Sequence, residues 1–106
     1  MGGSGGSGGS QWLGTLSEYC TLDCNAKRRS GCGAVEESCE STCVDETENL
    51  RRLMYPSQVP PFVTCAVANP SIFTYRCEGM DHAFDNSYIG PCRAEYEAVY
   101  TCAVGG

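Results

Sequence analysis

Two short stretches carry the first chemistry in this chain. "CTLDC" (Cys20 to Cys24) and "CESTC" (Cys39 to Cys43) each place two cysteines four apart, and fourteen residues separate the pairs. Four sulfurs so arranged could hold a soft metal as thiolates, cycle as a redox device, or close as two disulfides. Residues four apart on a helix share one face, one turn above the other. Two such helices packed antiparallel bring the inner pair together and the outer pair together, which predicts Cys24–Cys39 and Cys20–Cys43. Zinc is the main competitor, but structural zinc usually takes C-x2-C knuckles or Cys/His mixtures. A dithiol redox enzyme would want C-x-x-C at a helix N-terminus, and the chain has none.

The other five cysteines are at positions 32, 65, 77, 92 and 102. Tyr55 to Val67 aligns without gaps on Cys92 to Val104, both segments ending in "TCAV". This internal repeat puts Cys65 and Cys102 at equivalent helix ends and suggests a Cys65–Cys102 bridge. A Cys77–Cys92 bridge would then tie an aromatic loop to the last helix. Cys32, between Gly31 and Gly33, is left as the candidate free thiol. The single histidine, His82, lies in "MDHAFDN". A Cys–His catalytic pair needs a geometry that nothing in the sequence supplies. Asp81, Asp85 and Asn86 match no calcium-loop spacing and read as a solvated turn. The expectation is a non-enzyme without cofactor or metal site.

Composition points the same way. Nine cysteines in 106 residues mark a disulfide scaffold in an oxidising compartment. A formal net charge of −6 argues against nucleic acid, whose phosphates need a basic surface, and against anionic membranes. No apolar run approaches the roughly 20 residues of a transmembrane helix. The six acids from Glu36 to Glu48 have no base among them. They read as one solvated helix face or, alternatively, as a docking surface for a basic partner.

The elements that must position these residues follow from periodicity. Residues 1–10, "MGGSGGSGGS", consist after Met1 of three GGS units with no side chain to bury and read as a flexible Gly/Ser linker or tether, either engineered or native. Residues 11–106 form the single disulfide-rich domain. A first helix is predicted from a Ser10 N-cap through Arg29, ended by the Gly31-Cys32-Gly33 turn. A second is predicted over about Ala34 to Met54, and the prolines 56, 60 and 61 end it. "PPFVTCAVANP" is a short third helix with Asn69-Pro70 as its stop. In "SIFTYRCEGMDHAFDNSYIG" Ile72, Phe73, Tyr75 and Cys77 are β-leaning, with "EGMD" as a turn, so a small hairpin or ordered loop is expected. "GPCRAEYEAVYTCAV" closes the chain as a fourth helix. The fold class is thus mainly α: a disulfide-stapled helical hairpin, two shorter helices and a small β element. Phe73, Tyr75, Phe84 and Tyr88 are the candidate binding surface, because aromatic side chains dominate interface hot spots.

Two resemblances attach to these motifs. The paired C-x3-C stretches resemble the twin C-x3-C hairpins of small chaperones of the mitochondrial intermembrane space, which bridge inner to inner and outer to outer cysteines. The likeness covers only Cys20 to Cys43. The whole order is similar to small cysteine-rich predicted lipoproteins of myxobacteria-like bacteria. It runs C-x3-C helix, "GC" turn, C-x3-C, "TC" helix, an aromatic strand with one cysteine, then C-x9-C from Cys92 to Cys102. That resemblance implies a native tether after a lipidated cysteine, hence a lipid anchor upstream of residue 1. It also implies a secreted, periplasmic or cell-surface location, and no catalytic residue. Tyr55 stands where a further cysteine is expected. The reading is an exported, disulfide-stabilised binding or structural module for an unknown protein or surface ligand. A thiolate metal-binding protein and a twin C-x3-C chaperone are the alternatives.

Overall fold

Helix α1, Gly8–Ser30, is the element on which the others are assembled. The structure, a computed structural model, describes the backbone of residues 8–105 and the side chains of residues 11–101. The first turn of α1 takes in Gly8, Gly9 and Ser10, so the chain is already helical at the position expected to cap it. Its last turn carries Lys27, Arg28 and Arg29, where positive charge is favoured by the helix dipole. Gly31, at φ +70°, then adopts the left-handed conformation that ends the helix.

Helix α2, Cys39–Leu53, starts five residues later than its sequence pattern suggests. Ala34 to Glu36 run without regular structure, because the preceding turn is fixed against the β-hairpin. A Cβ added to Gly33 would lie 2.7 Å from the Met80 carbonyl oxygen, so this close backbone approach requires glycine. None of the α2 residues is buried. Two bridges join the helix to α1: Cys20–Cys43, with Cα atoms 5.7 Å apart, and Cys24–Cys39, at 6.1 Å. Polar contacts add to them. Arg28 donates to both carboxylate oxygens of Glu40, at 2.7 and 3.0 Å. Trp12 Nε1 donates to Glu48 Oε1 at 2.7 Å, and Arg51 both pairs with Glu48 and lies over the Trp12 ring.

Helix α3, Val59–Ala68, is entered through Pro60 and Pro61 in its first turn and stopped by Asn69-Pro70. It buries Val59, Val63 and Ala66. The core lies where α3 meets α1: Ala26, Ala66, Ile72, Phe73 and Cys92, with Tyr19, Leu22, Phe62 and Tyr75 packed around them. Ile72 and Leu16 are fully buried, each worth roughly 1.5–3 kcal/mol of transfer free energy. Strands β1, Tyr75–Glu78, and β2, Asp81–Phe84, pair antiparallel around Gly79 at φ +65°. Short 3-10 turns at Asn86–Tyr88 and Gly90–Cys92 lead into helix α4, Arg93–Gly105. The molecule is mainly helical with a small β-hairpin and four disulfides among the described residues.

The other two bridges correct both remaining expected pairings. Cys65 is joined to Cys92, not to Cys102. It lies in the last turns of α3, and the chain returns to it at the start of α4, where Cys92 is buried. Position 102 is ten residues further along α4, about 15 Å by helix rise, and its side chain lies outside the described residues. Cys77 is joined to Cys32, not to Cys92. Cys32 is therefore not a free thiol: the Gly-Cys-Gly turn is the anchor of the hairpin. Among the described residues no helix is long and apolar enough to cross a membrane.

Candidate functional site

A cleft of about 370 Å³ opens between α1, the 31–38 segment, α2 and the hairpin. Three helix columns and one strand face build it. On α1, Tyr19, Asp23 and Lys27 recur every fourth residue and form one column, while Cys20 and Cys24 form the adjacent column toward α2. On α2, Cys39, Thr42, Cys43, Glu46 and Thr47 make the opposite wall. Strand alternation puts Tyr75 and Cys77 on one face of β1, and the register places Phe84 and His82 directly across from them. That face turns toward α1, which is why Cys77 reaches Cys32 and why Tyr75 and His82 line the cleft.

The polar centre of the cleft is Asp23, 8% exposed. Tyr75 Oη donates to its Oδ1, and Lys27 Nζ lies 3.3 Å from its Oδ2. The same ammonium lies 5.4 Å from the centroid of the Tyr75 ring, so carboxylate and aromatic face share one cation. Burial, reinforced by the Asp23 charge, pushes the Tyr19 and Tyr75 phenols well above their ordinary range. Both remain protonated donors at any physiological pH. His82 stands edge-on to Tyr75, with ring centroids 6.4 Å apart. Its Nε2 is buried and makes no hydrogen bond to the described residues. Unpaired buried nitrogens are uncommon in folded proteins. Val35 and Ala34 supply apolar surface at the mouth, and Glu36 and Glu46 supply exposed carboxylates.

The expected aromatic surface is placed differently. Phe73 is 5% exposed and belongs to the core, so it is withdrawn from that surface. Its ring meets Tyr19 edge-on at 5.4 Å, filling space that a loop aromatic would leave open. Tyr75 and Phe84 are partly buried. With Phe62, Phe73 and Tyr96 they line a smaller recess of about 150 Å³ on the other side of the Tyr19–Asp23–Tyr75 wall. Of the four, Tyr88 alone is exposed, at 52%, and it lines neither recess.

The six acids do not form one solvated face. Glu40 is paired with Arg28, and Glu48 is paired with Arg51, whose guanidinium holds its carboxyl down at about 2. Glu36 and Glu46 are the two that reach the cleft. Cys24, Cys39 and Glu40 place three ligand-type atoms within 4.8 Å of one another. Both sulfurs are bridged, however, and the carboxylate is held by Arg28, so a thiolate site would first require reduction. Sequence reasoning missed Asp23 and Lys27 as functional candidates. The signal was the spacing Tyr19, Asp23, Lys27 beside the cysteine column, which reads as a polar stripe adjoining a buried one.

Comparison with protein-family models, with curated proteins and with solved structures finds no match to this chain.

Proposed function

We propose that this protein is an exported binding module whose recognition site is the cleft around Asp23, and that it acts by binding rather than by catalysis. The observation that carries the reading is the cleft itself. Its volume falls within the usual range for small-ligand and side-chain pockets, about 300–1,000 Å³. Its lining is mixed, with the polar groups Asp23, Lys27, Glu36, Glu46 and His82 gathered around apolar surface from Ala34, Val35 and the Tyr75 ring. Two of the four bridges, Cys20–Cys43 and Cys24–Cys39, hold the opposing walls at fixed separation, which preorganises the site. The bridged state of all eight described cysteines supports an oxidising location and offers no thiolate nucleophile to His82. A lipid tether upstream of the Gly/Ser segment suits a module displayed on a surface, with an unknown protein or surface ligand as its partner.

The test is to pan a displayed random-peptide library against the folded, oxidised protein and map the selected peptides by amide chemical shifts. Selected peptides are expected to perturb Asp23, Val35, Tyr75 and His82, and to lose binding when Thr42→Trp fills the cleft. Thr42 is exposed, so the substitution leaves the bridges and the core in place. Peptides that bind elsewhere and ignore Thr42→Trp would overturn the reading.

A further inference from the structure

We infer that the cleft receives a basic side chain, a lysine ammonium or arginine guanidinium, from a partner polypeptide that continues along the exposed face of α2. The inference rests on the cleft being the binding site and specifies what enters it. Three observations converge. First, the site already holds a cation of its own: Lys27 Nζ sits between the Asp23 carboxylate and the Tyr75 ring face. Carboxylate plus aromatic face is the usual environment for an organic cation. Second, the charge around the cleft is unbalanced. Lys27 compensates Asp23, whereas Glu36 and Glu46 make no ion pair with the described residues. The mouth thus carries two surplus negative charges beside apolar Val35 and Ala34, which suit a cation on an aliphatic stem. Third, His82 lines the cleft wall beside Tyr75, and its buried Nε2 has no partner among the described residues that would commit the ring elsewhere.

The source of the cation follows from what adjoins the cleft. Glu46 also borders a second, mainly apolar recess of about 430 Å³, formed with Asn49, Leu50, Leu53 and Met54. Leu53 is 72% exposed and Met54 58%. Residues 39, 42, 43 and 46 on the cleft side and 46, 49, 50, 53 and 54 on the apolar side follow the three- and four-residue spacing of one helix face. Cleft and apolar shelf are therefore a single stripe about 22 Å long by helix rise. A free amine has nothing to place on the shelf. A peptide segment with basic and apolar residues fills both.

The experiment uses the 15N-labelled oxidised protein and amide chemical-shift titration. The probe is an acetylated, amidated Lys-Leu-Ala-Ala-Lys-Leu-Ala peptide, compared with its norleucine-for-lysine and glutamate-for-lysine forms and with spermidine. The lysine peptide is expected to give saturable shifts at Asp23, Val35, Glu46, Leu50 and Leu53. The norleucine form should bind about tenfold more weakly, as expected when a charge-assisted contact is lost. Glu36→Gln with Glu46→Gln should weaken the lysine peptide about fivefold, as for two exposed charge pairs. Leu53→Ser should weaken the lysine peptide while leaving any spermidine shifts unchanged. Equal binding of the glutamate peptide at the same residues would overturn the basic-ligand inference and leave the cleft as a binding site. Spermidine binding as tightly as the lysine peptide, with no shift at Leu50 or Leu53, would overturn the polypeptide source. No shift with any probe, together with library peptides that bind away from the cleft, would overturn both readings.

Discussion

Helices α2 and α3 both pack on α1, and they are held there by different forces. Helix α3 buries Val59, Val63 and Ala66 and joins the core around Ile72 and Phe73. Helix α2 buries no residue, and Leu50, Leu53 and Met54 remain on its surface. Its place is set by two disulfides, the Arg28–Glu40 pair and the Trp12–Glu48–Arg51 cluster. An isolated helix of 15 residues is marginal in water. The comparison teaches that one half of the molecule is an ordinary apolar core and the other is a covalently mounted wall. A wall fixed by sulfur is free to present its side chains outward, and this is where the cleft and the apolar shelf are found.

The sharpest way to break the comparison is to remove the mounting. Replacing Cys20, Cys43, Cys24 and Cys39 with serine is expected to cost roughly 2–4 kcal/mol per bridge. The loss should fall on α2: hydrogen exchange over 39–53 should become fast while 59–68 stays protected. Protection of α2 without its bridges would show that apolar or ionic contacts suffice to hold it. A second substitution strikes the other half. Ile72→Ala, in a fully buried site, should cost about 2–5 kcal/mol and lower the melting temperature, with all four bridges intact by mass. A cost below about 1 kcal/mol would mean that the core contributes little and that disulfides carry both halves.

The smallest effect concerns the ionic contacts on α2. Arg51 and Trp12 hold the Glu48 carboxyl at about 2, below the ordinary glutamate value of 4.5. Because the folded value is depressed, the stabilisation is complete above pH 4.5 and is lost as pH falls toward 2. The pair is close to the surface, so solvent screening limits it to roughly 1 kcal/mol or less. Trp12 is the single tryptophan, and its fluorescence reports the contact directly. Its emission should change in a transition centred near pH 2 in the wild type and stay nearly flat in Glu48→Gln. A transition centred near pH 4.5 in the wild type would show that Arg51 does not engage Glu48 in solution.

The two halves also differ in how much of them was legible in the sequence. Helix positions could be read because periodicity, proline stops and basic last turns are local signals, as in α1 and α3. The start of α2 could not, because Gly33 is pinned by Met80, nearly fifty residues away in sequence. Spacing four apart on a helix face bears on which sulfurs can meet across a helical hairpin. Nothing comparable relates Cys32 to Cys77, or Cys65 to Cys92, since those depend on how the β-hairpin and α4 fold back. Glycines on both sides of Cys32 were the available clue: a cysteine there sits where another backbone can approach. The cleft shows the same division. Its α1 column, Tyr19, Asp23 and Lys27, is a local pattern, whereas Tyr75 and His82 arrive through strand register. Phe73 illustrates the limit for aromatics, because a sequence-level interface signal and a core signal are the same residue type.

The account's central claim is that bridged α2 and α1 together make a binding cleft. It is tested most directly by titrating the lysine–leucine peptide into the wild type and into the variant lacking Cys20–Cys43 and Cys24–Cys39. The account predicts saturable shifts at Asp23, Val35 and Glu46 in the wild type. In the variant it predicts their loss, while the resonances of Val63, Ala66 and Ile72 keep their positions. Equal binding by both proteins, or no binding by the bridged one, would contradict it.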